Sequence, residues 1–408
     1  MSDGTAARGH DEAYWQKQRA AVRLAPGLVY LNTGSYGLLP ERVHAALAAW
    51  REQLYANPTD FLWRSVGPAL WAARCRVAAF LGGGPERLIF TPNVSEAINL
   101  VARSLRPRVP GEILLSDHEY RAMHWVWERT AVELGLVLRV FKLPILSADP
   151  QALAEAVIAD LRPTTRVLFL SHVLHTTGLV VPVAPICAAA RQRGILTVID
   201  AAHAPGMIPI QLDAIGADFY ASNLHKWLLA PLGAGCLYVA ADRTELLRPL
   251  QVSWGWHFDR NRPHVRDEFG STPWLRSFEF AGSRDVCPWL AAATAVECME
   301  EVGLQAVRRR QLDLGSQVRQ HLSASPGFSC VTPVSPELRG GLTAFRLPPH
   351  DSPLLRRHLW EKHRIEINLV EHADGILLRV STHFFNRPEE IAQLALALPS
   401  ARAHALPN

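Results

Sequence analysis

Residues 222–227 read SNLHKW and run directly into LLAPLGAGCLYVA, a segment without a charged side chain. An ammonium ion beside so apolar a run loses hydration that a partner must replace. A lysine that condenses with a carbonyl group to a Schiff base escapes that cost, which makes Lys226 a candidate nucleophilic amine. The plainer alternative is a stem that lies along apolar surface with its charge in water. Asn223 and His225, in the same hexapeptide, are potential phosphate donors.

Three further segments carry polar side chains just after an apolar run. In LIFTPNVSEAINLVARSL (88–105), Asn93 is placed to cap a helix, with Glu96 three residues on in a capping-box pattern. The free N–H groups of such a helix start form a phosphate site, to which Ser95 can add a hydroxyl. Ordinary capping explains the same residues. LTVIDAAHAPG (196–206) puts Asp200 at the end of a buried strand and His203 three residues later. That carboxylate can cap the next helix or hold a cationic heterocycle by an ion pair. SHVLHTTGLVVP (171–182) offers His172 and His175. With no third ligand and no HxxxH helix, they read as the lining of a polar pocket, and no metal is expected. A phosphate-ready helix start, an aspartate after a buried strand and a lysine 26 residues further on are together what pyridoxal phosphate requires of a protein.

The elements that must hold these residues are short apolar runs alternating with helical patterns. EILLS (112–116), VLRVF (137–141), RVLFLS (166–171), LTVID (196–200), DFYAS (218–222) and GCLYVA (235–240) are strand-like, and most are continuously apolar, as in strands covered on both faces. PQALAEAVIADLR (150–162) and VAPICAAARQRG (183–194) read as helices between them. The alternation predicts an α/β fold with a largely parallel sheet, whose ligands bind at the carboxyl ends of the strands. From 286 onward, the helical PWLAAATAVECMEEVG gives way to strand candidates GLTAFRL (341–347), IEINLV (365–370) and GILLRVS (375–381), the pattern of a smaller α+β domain. The expected organisation is an N-terminal segment 1–30 packing with the small domain, a large domain 31–285 and a small domain 286–408.

Composition removes several classes of function. A chain of 408 residues, 49% hydrophobic and 20% charged, is that of a soluble globular protein. Its net charge of +4 is scattered, and the densest basic run, VRRRQ (307–311), falls in a helical pattern that reads as a solvated helix face, so nucleic acid is not an expected partner. No run approaches the roughly 20 apolar residues of a membrane span, and the N-terminus has no apolar signal core, so a cytoplasmic protein without a membrane partner is expected. The six cysteines form no CxxC pair and read as free thiols. The glycine-rich FLGGGPERL (80–88) does not fit GxGxxG and precedes a strand, so it reads as a turn and not as a dinucleotide site.

Taken in order, LNTGSYG, TPNVSEAIN, SDHEY, SHVLHTTG, VIDAAHAPG, SNLHKW, VSWGW and FAGSRD resemble the class V aminotransferase branch of fold-type-I pyridoxal phosphate enzymes. Within that branch they are most similar to the subgroup of isopenicillin N epimerases and hercynylcysteine sulfoxide lyases. The resemblance implies a large domain with a mostly parallel seven-stranded sheet between helices, and a smaller α+β C-terminal domain. It implies that Lys226 is the Schiff-base lysine and Asp200 the partner of the ring nitrogen, with His203 beside the ring and Tyr120 stacked on it. His175 matches a residue that contacts the ring hydroxyl. Asn93, Val94, Ser95, Asn223 and His225 match the phosphate loop. Gly282 and Ser283 match a pair that reaches the phosphate of the neighbouring subunit, which implies a homodimer with active sites near the interface. Arg379 matches the arginine that binds an amino-acid α-carboxylate, and Ser35, Tyr36 and Trp254 join it as substrate-binding candidates. In VSWGWHFDRNRPH (252–264), Trp254, Trp256, His257 and Arg262 offer room for a substrate larger than a simple amino acid, or only aromatic packing.

These residues serve elimination, epimerisation and transamination alike. Cysteine desulfurases of the family carry a cysteine on a loop ahead of the carboxylate-binding arginine, whereas no cysteine lies between Cys330 and Arg379 here. Desulfuration is therefore not expected. The sequence reading puts β-elimination at a C–S bond first, epimerisation at the α-carbon next and transamination third. A relative that only binds a ligand comes last, because the lysine and the aspartate are both in place.

Overall fold

The apolar runs of the first half become one sheet. In a computed structural model that describes residues 10–106, 110–257, 265–266, 271–349, 351–373 and 375–405, its strands are β1 (Leu88–Thr91), β2 (Glu112–Ser116), β3 (Val137–Phe141), β4 (Thr165–Ser171), β5 (Leu196–Ala201), β6 (Phe219–Asn223) and β7 (Gly235–Val239). The sheet is seven-stranded in the order β1-β7-β6-β5-β4-β2-β3. The β6–β5, β5–β4, β4–β2 and β2–β3 pairs are parallel, and β7 is antiparallel to both its neighbours.

Continuous apolarity has a direct cause. Successive strand residues point to opposite faces, and both faces are covered. In β4, Val167 and Phe169 pack with Val94, Ile98, Met123 and Trp127 from the helices of one layer. Leu168 and Leu170 face the other layer, which includes Val77, Leu153, Ile186 and Val296. Each fully buried large side chain of this kind stabilises the fold by roughly 1.5–3 kcal/mol. VLRVF is an exception to the two-sided reading: β3 is an edge strand, with Val137 and Val140 65% and 47% exposed.

The smaller unit holds a four-stranded antiparallel sheet that includes β8 (Leu342–Arg346), β9 (Asn368–His372) and β10 (Gly375–Ser381), with β10 between β8 and β9. IEINLV is not one strand. Ile365–Glu366 pairs with Val29–Tyr30 in a separate two-stranded sheet, and the chain joins β9 only from Asn368. The buried Ile367 marks the crossing. The N-terminal helix Glu12–Ala20 docks beside this unit through Arg310–Glu12 and Arg19–Glu390 ion pairs. The first of these corrects the reading of VRRRQ. The segment is helical, within Leu304–Ser323, but Arg310 is buried against Glu12 and the Asn386 carbonyl, and Arg308 donates to the Pro336 carbonyl. Of the three arginines only Arg309 lies on an exposed face.

The glycine-rich 82–84 forms the expected turn: Gly82 adopts a left-handed conformation (φ 70°) that ends the helix Val66–Leu81, and a 3-10 turn leads into β1. No helix among the described residues is long and apolar enough to cross a membrane.

Candidate active site

The loop after β6 carries Lys226. The chain has four lysines, and Lys17, Lys142 and Lys362 are exposed, whereas Lys226 is partly buried with its Nζ 3.3 Å from His203 Nε2. Burial of the amine pushes its pKa down to about 8; the positive charge of Arg379 acts in the same direction and Asp200 against it. Two glycines let other segments close on this loop. Gly37 of LNTGSYG donates its N–H to the His225 carbonyl at 2.9 Å, and a Cβ there would overlap the Lys226 carbonyl oxygen. Gly206 of VIDAAHAPG is left-handed (φ 84°), and its Cβ would overlap the Trp227 carbonyl. Gly206→Ala is therefore expected to lower folding stability by about 2–4 kcal/mol, from left-handed strain and overpacking together. A urea midpoint that does not move would contradict this.

Asp200 stands at the carboxyl end of β5, 5% exposed, with Oδ1 accepting from the Ala202 N–H at 2.9 Å. Burial raises its pKa, opposed by the Ala202 hydrogen bond and by the charge of Lys226. It holds a turn, not the helix start that capping would have required. A second buried carboxyl lies nearby. Glu119 accepts from Ser116 Oγ at 2.6 Å, from the Ser171 N–H at 3.2 Å and from Ser171 Oγ. Burial, with a smaller contribution from Asp200, pushes its pKa up to about 7. The sequence reading used SDHEY only for Tyr120 and missed this residue. The signal was present: Ser116 and Ser171 end two adjacent strands, and Glu119 follows the first of them by three residues.

The helix Val94–Ser104 starts as expected, with Asn93 Oδ1 accepting from the Glu96 N–H at 2.9 Å. Asn223 sits closer to the helix than its expected role required, since its Oδ1 accepts from the Val94 N–H at 2.9 Å. The Ser95 N–H and hydroxyl have no acceptor among the described residues, which leaves them to meet an anion. His225 Nδ1 donates to the Ala234 carbonyl at 3.1 Å. Burial, aided by the charge of Lys226, lowers its pKa to about 4. Neutral His225 thus presents Nε2 as an acceptor, and only as imidazolium can it donate to phosphate.

Arg379, on β10, is 3% exposed. Its Nη2 donates to Ser35 Oγ at 2.9 Å and its Nη1 to the His175 carbonyl at 3.1 Å, while its buried Nε has no partner among the described residues. Gly34 leaves the space it occupies, because a Cβ there would approach Nη2 to 3.3 Å. Among the described residues no carboxylate pairs with Arg379, and burial lowers its pKa to about 10. A buried guanidinium without a counter-ion is costly, and an anionic ligand offsets that cost. His175 likewise has a buried Nδ1 without a partner among the described residues, and its ring meets that of Tyr120 edge-on at 5.3 Å. Tyr120 and Tyr36 are 49% and 57% exposed.

Three candidates are not part of this cluster. Trp254, Gly282 and Ser283 line a separate groove of about 400 Å³ with Leu62, Trp63 and Phe280, and none of the residues around Lys226 borders it. Trp254 is 76% exposed, so it is not core packing. Arg262 lies outside the described residues. His172 turns away from the amine into the sheet, its Nδ1 2.7 Å from the Tyr220 hydroxyl.

A partly buried amine, a facing carboxylate, an uncommitted helix-start N–H and the orphaned His175 Nδ1 fit pyridoxal phosphate. Comparison with known proteins agrees. The aminotransferase class-V family profile matches residues 29–394. The chain is 48% identical over 389 residues to an isopenicillin N epimerase of Streptomyces clavuligerus, across 95% of this chain and 98% of that one. It is 47% identical to an isopenicillin N epimerase of Amycolatopsis lactamdurans, across 94% and 98% of the two chains. Among solved structures, a cystine C–S lyase in complex with its reaction product cysteine persulfide superposes with a TM-score of 0.79 at 25% identity, covering 94% of this chain and 99% of that one.

Proposed function

The chain belongs to the aminotransferase class-V family and is a pyridoxal phosphate-dependent enzyme, and from that premise we propose that it epimerises the α-carbon of an amino-acid-type substrate, with isopenicillin N as the first compound to test. The observation that carries the amino-acid part is Arg379, a buried cation without a carboxylate partner among the described residues and close enough to the Lys226 amine for its charge to be felt there. An α-amino acid brings one group for each: a carboxylate for the guanidinium and an amine for the space that Lys226 Nζ faces. The choice of epimerisation rests on the likeness to the two epimerases along almost their whole length.

Pyridoxal phosphate supplies an electron sink that weakens every bond to the α-carbon. Lys226 Nζ takes the α-proton as a general base; its lowered pKa leaves a useful fraction unprotonated near neutral pH. Asp200 would hold a proton at the ring nitrogen, and the Ser95 N–H and hydroxyl would hold the phosphate at the helix start that Asn93 and Val94 shape. Arg379, kept in place by Ser35 and the His175 carbonyl, fixes the carboxylate so that the α-hydrogen has one direction relative to the amine. Nζ passes that proton to solvent, and a solvent proton delivered to the opposite face inverts the centre without changing the substrate's mass.

We also propose a homodimer. Gly282 and Ser283 are exposed and line a groove that none of the residues around Lys226 borders, as residues serving a neighbouring subunit's site would. Elimination at a C–S bond, placed first by sequence, becomes the second reading, supported by the likeness to the cystine C–S lyase. The two separate in D₂O. Epimerisation returns intact substrate carrying one deuterium at the α-carbon; formation of pyruvate and ammonia instead would refute it.

A further inference from the structure

The residue after the lysine is Trp227, fully buried, and its indole is directed at the amine's neighbour rather than at the amine. Trp227 Nε1 donates to His203 Nδ1 at 3.1 Å. An indole N–H is a donor only, so that bond requires Nδ1 to be the acceptor nitrogen. A neutral His203 then carries its proton on Nε2, the atom 3.3 Å from Lys226 Nζ. Burial holds His203 neutral, with Lys226, Arg379 and His175 adding to the effect. A donor pointing at an amine is matched by a lone pair and opposed by an ammonium group.

The indole is itself fixed from behind. The Phe384 N–H donates to His383 Nδ1 at 2.9 Å, which leaves His383 Nε2–H to donate to the Trp227 carbonyl at 2.9 Å. The His383 ring stacks on the indole at 5.8 Å, and Gly341 is bare where a Cβ would approach the indole to 2.6 Å. Segments of the smaller unit thus hold the tryptophan, the tryptophan orients the histidine, and the histidine faces the amine.

We propose that Trp227 is a positioning residue: its indole pins His203 as the Nε2–H tautomer, so that His203 donates to the lone pair of Lys226 and keeps the amine unprotonated and nucleophilic. Protonating Lys226 would force His203 either to give up the indole or to aim an N–H at an ammonium ion. The groups that bear on the amine besides His203 are Asp200, which favours the charged form, and Arg379, which disfavours it; the amine's own charge is felt at His175 and His225. Among the described residues none of these is hydrogen-bonded to the indole, whose one N–H goes to His203. The inference rests on Lys226 being the reactive amine, and not on which reaction follows.

Both readouts use the cofactor-free, full-length protein. Nitrogen NMR of ¹⁵N-histidine-labelled protein, with the His203 signal identified by its loss in His203→Gln, should show the proton on Nε2. Finding it on Nδ1 overturns the proposal without any tryptophan variant having to fold. The pH dependence of Lys226 acylation, followed by peptide mass spectrometry against the three exposed lysines, gives the amine's midpoint. Trp227→Phe keeps a buried ring but no donor, and should raise that midpoint by about one pH unit, a roughly tenfold slower labelling at pH 7. A merely structural role would change the extent of labelling and leave the midpoint in place, and that outcome also overturns the proposal. His203→Gln provides rescue, since an amide can accept from Trp227 and donate to Lys226 as the imidazole does. Its midpoint should stay low with Trp227 present and rise in the double variant. Borohydride reduction of the cofactor-loaded wild type tests the underlying reading separately: label on the Lys226 peptide upholds it whatever the tautomer proves to be.

Discussion

Lys226→Ala is expected to abolish the covalent attachment of pyridoxal phosphate and to lower turnover by about 10,000-fold or more. The size of the effect follows from the lysine's two duties, anchoring the cofactor and moving the α-proton, which one truncation removes together. No other lysine can substitute: Lys17, Lys142 and Lys362 are exposed, on the N-terminal helix, just after β3 and on the helix Ser352–His363. Borohydride reduction followed by peptide mapping should place the cofactor on the Lys226 peptide alone. Label on another lysine, or substantial turnover by the variant, would refute the assignment. The pH dependence has a definite sign. Because burial depresses the amine's pKa to about 8, cofactor uptake by the free protein should rise about tenfold per pH unit below that value and level off above it.

Arg379→Ala is expected to cost about 2–5 kcal/mol in kcat/KM for an amino-acid substrate, or roughly 30- to 5,000-fold, while the cofactor band persists. The guanidinium is already oriented by Ser35 Oγ and the His175 carbonyl and has no carboxylate partner among the described residues, so the substrate's carboxylate would be its first counter-ion. Arg379→Lys should recover little, because a single ammonium cannot reproduce the planar fork that binds a carboxylate through two N–H groups. Removing the positive charge should also raise the pKa of Lys226, which Arg379 now depresses. Equal losses in cofactor binding and in kcat/KM would contradict a role at the substrate.

The sheet was legible because strands covered on both faces carry unbroken apolar runs through their centres, as VLFL does in β4 and CLYV in β7. Where coverage fails, as on the edge strand β3, composition alone could not tell an exposed face from a buried one. IEINLV misled for a related reason: a continuous apolar run does not record that the chain leaves one sheet and enters another at Ile367. Arg308 and Arg310 looked like solvent-facing charges because their partners, the Pro336 carbonyl and Glu12, lie far along the chain. In the site, Lys226, Asp200, Asn93 and Arg379 could each be named from their position after an apolar run or from the family pattern. The roles of Glu119, Trp227 and His383 depend on which nitrogen or oxygen faces which, and that is a matter of packing between distant segments. Nothing in SNLHKW marks Trp227 beyond its place next to the lysine; its role follows from the bond of its indole to His203.

The central claim, inversion at the α-carbon, is tested most directly by starting the cofactor-loaded enzyme separately on isopenicillin N and on its α-epimer. Each is followed by separation of the two epimers and by mass. We expect both reactions to converge on the same mixture of intact epimers, with neither pyruvate nor ammonia formed. If either compound is instead consumed to a keto acid and ammonia, or if neither epimer is converted into the other, the epimerase assignment is wrong.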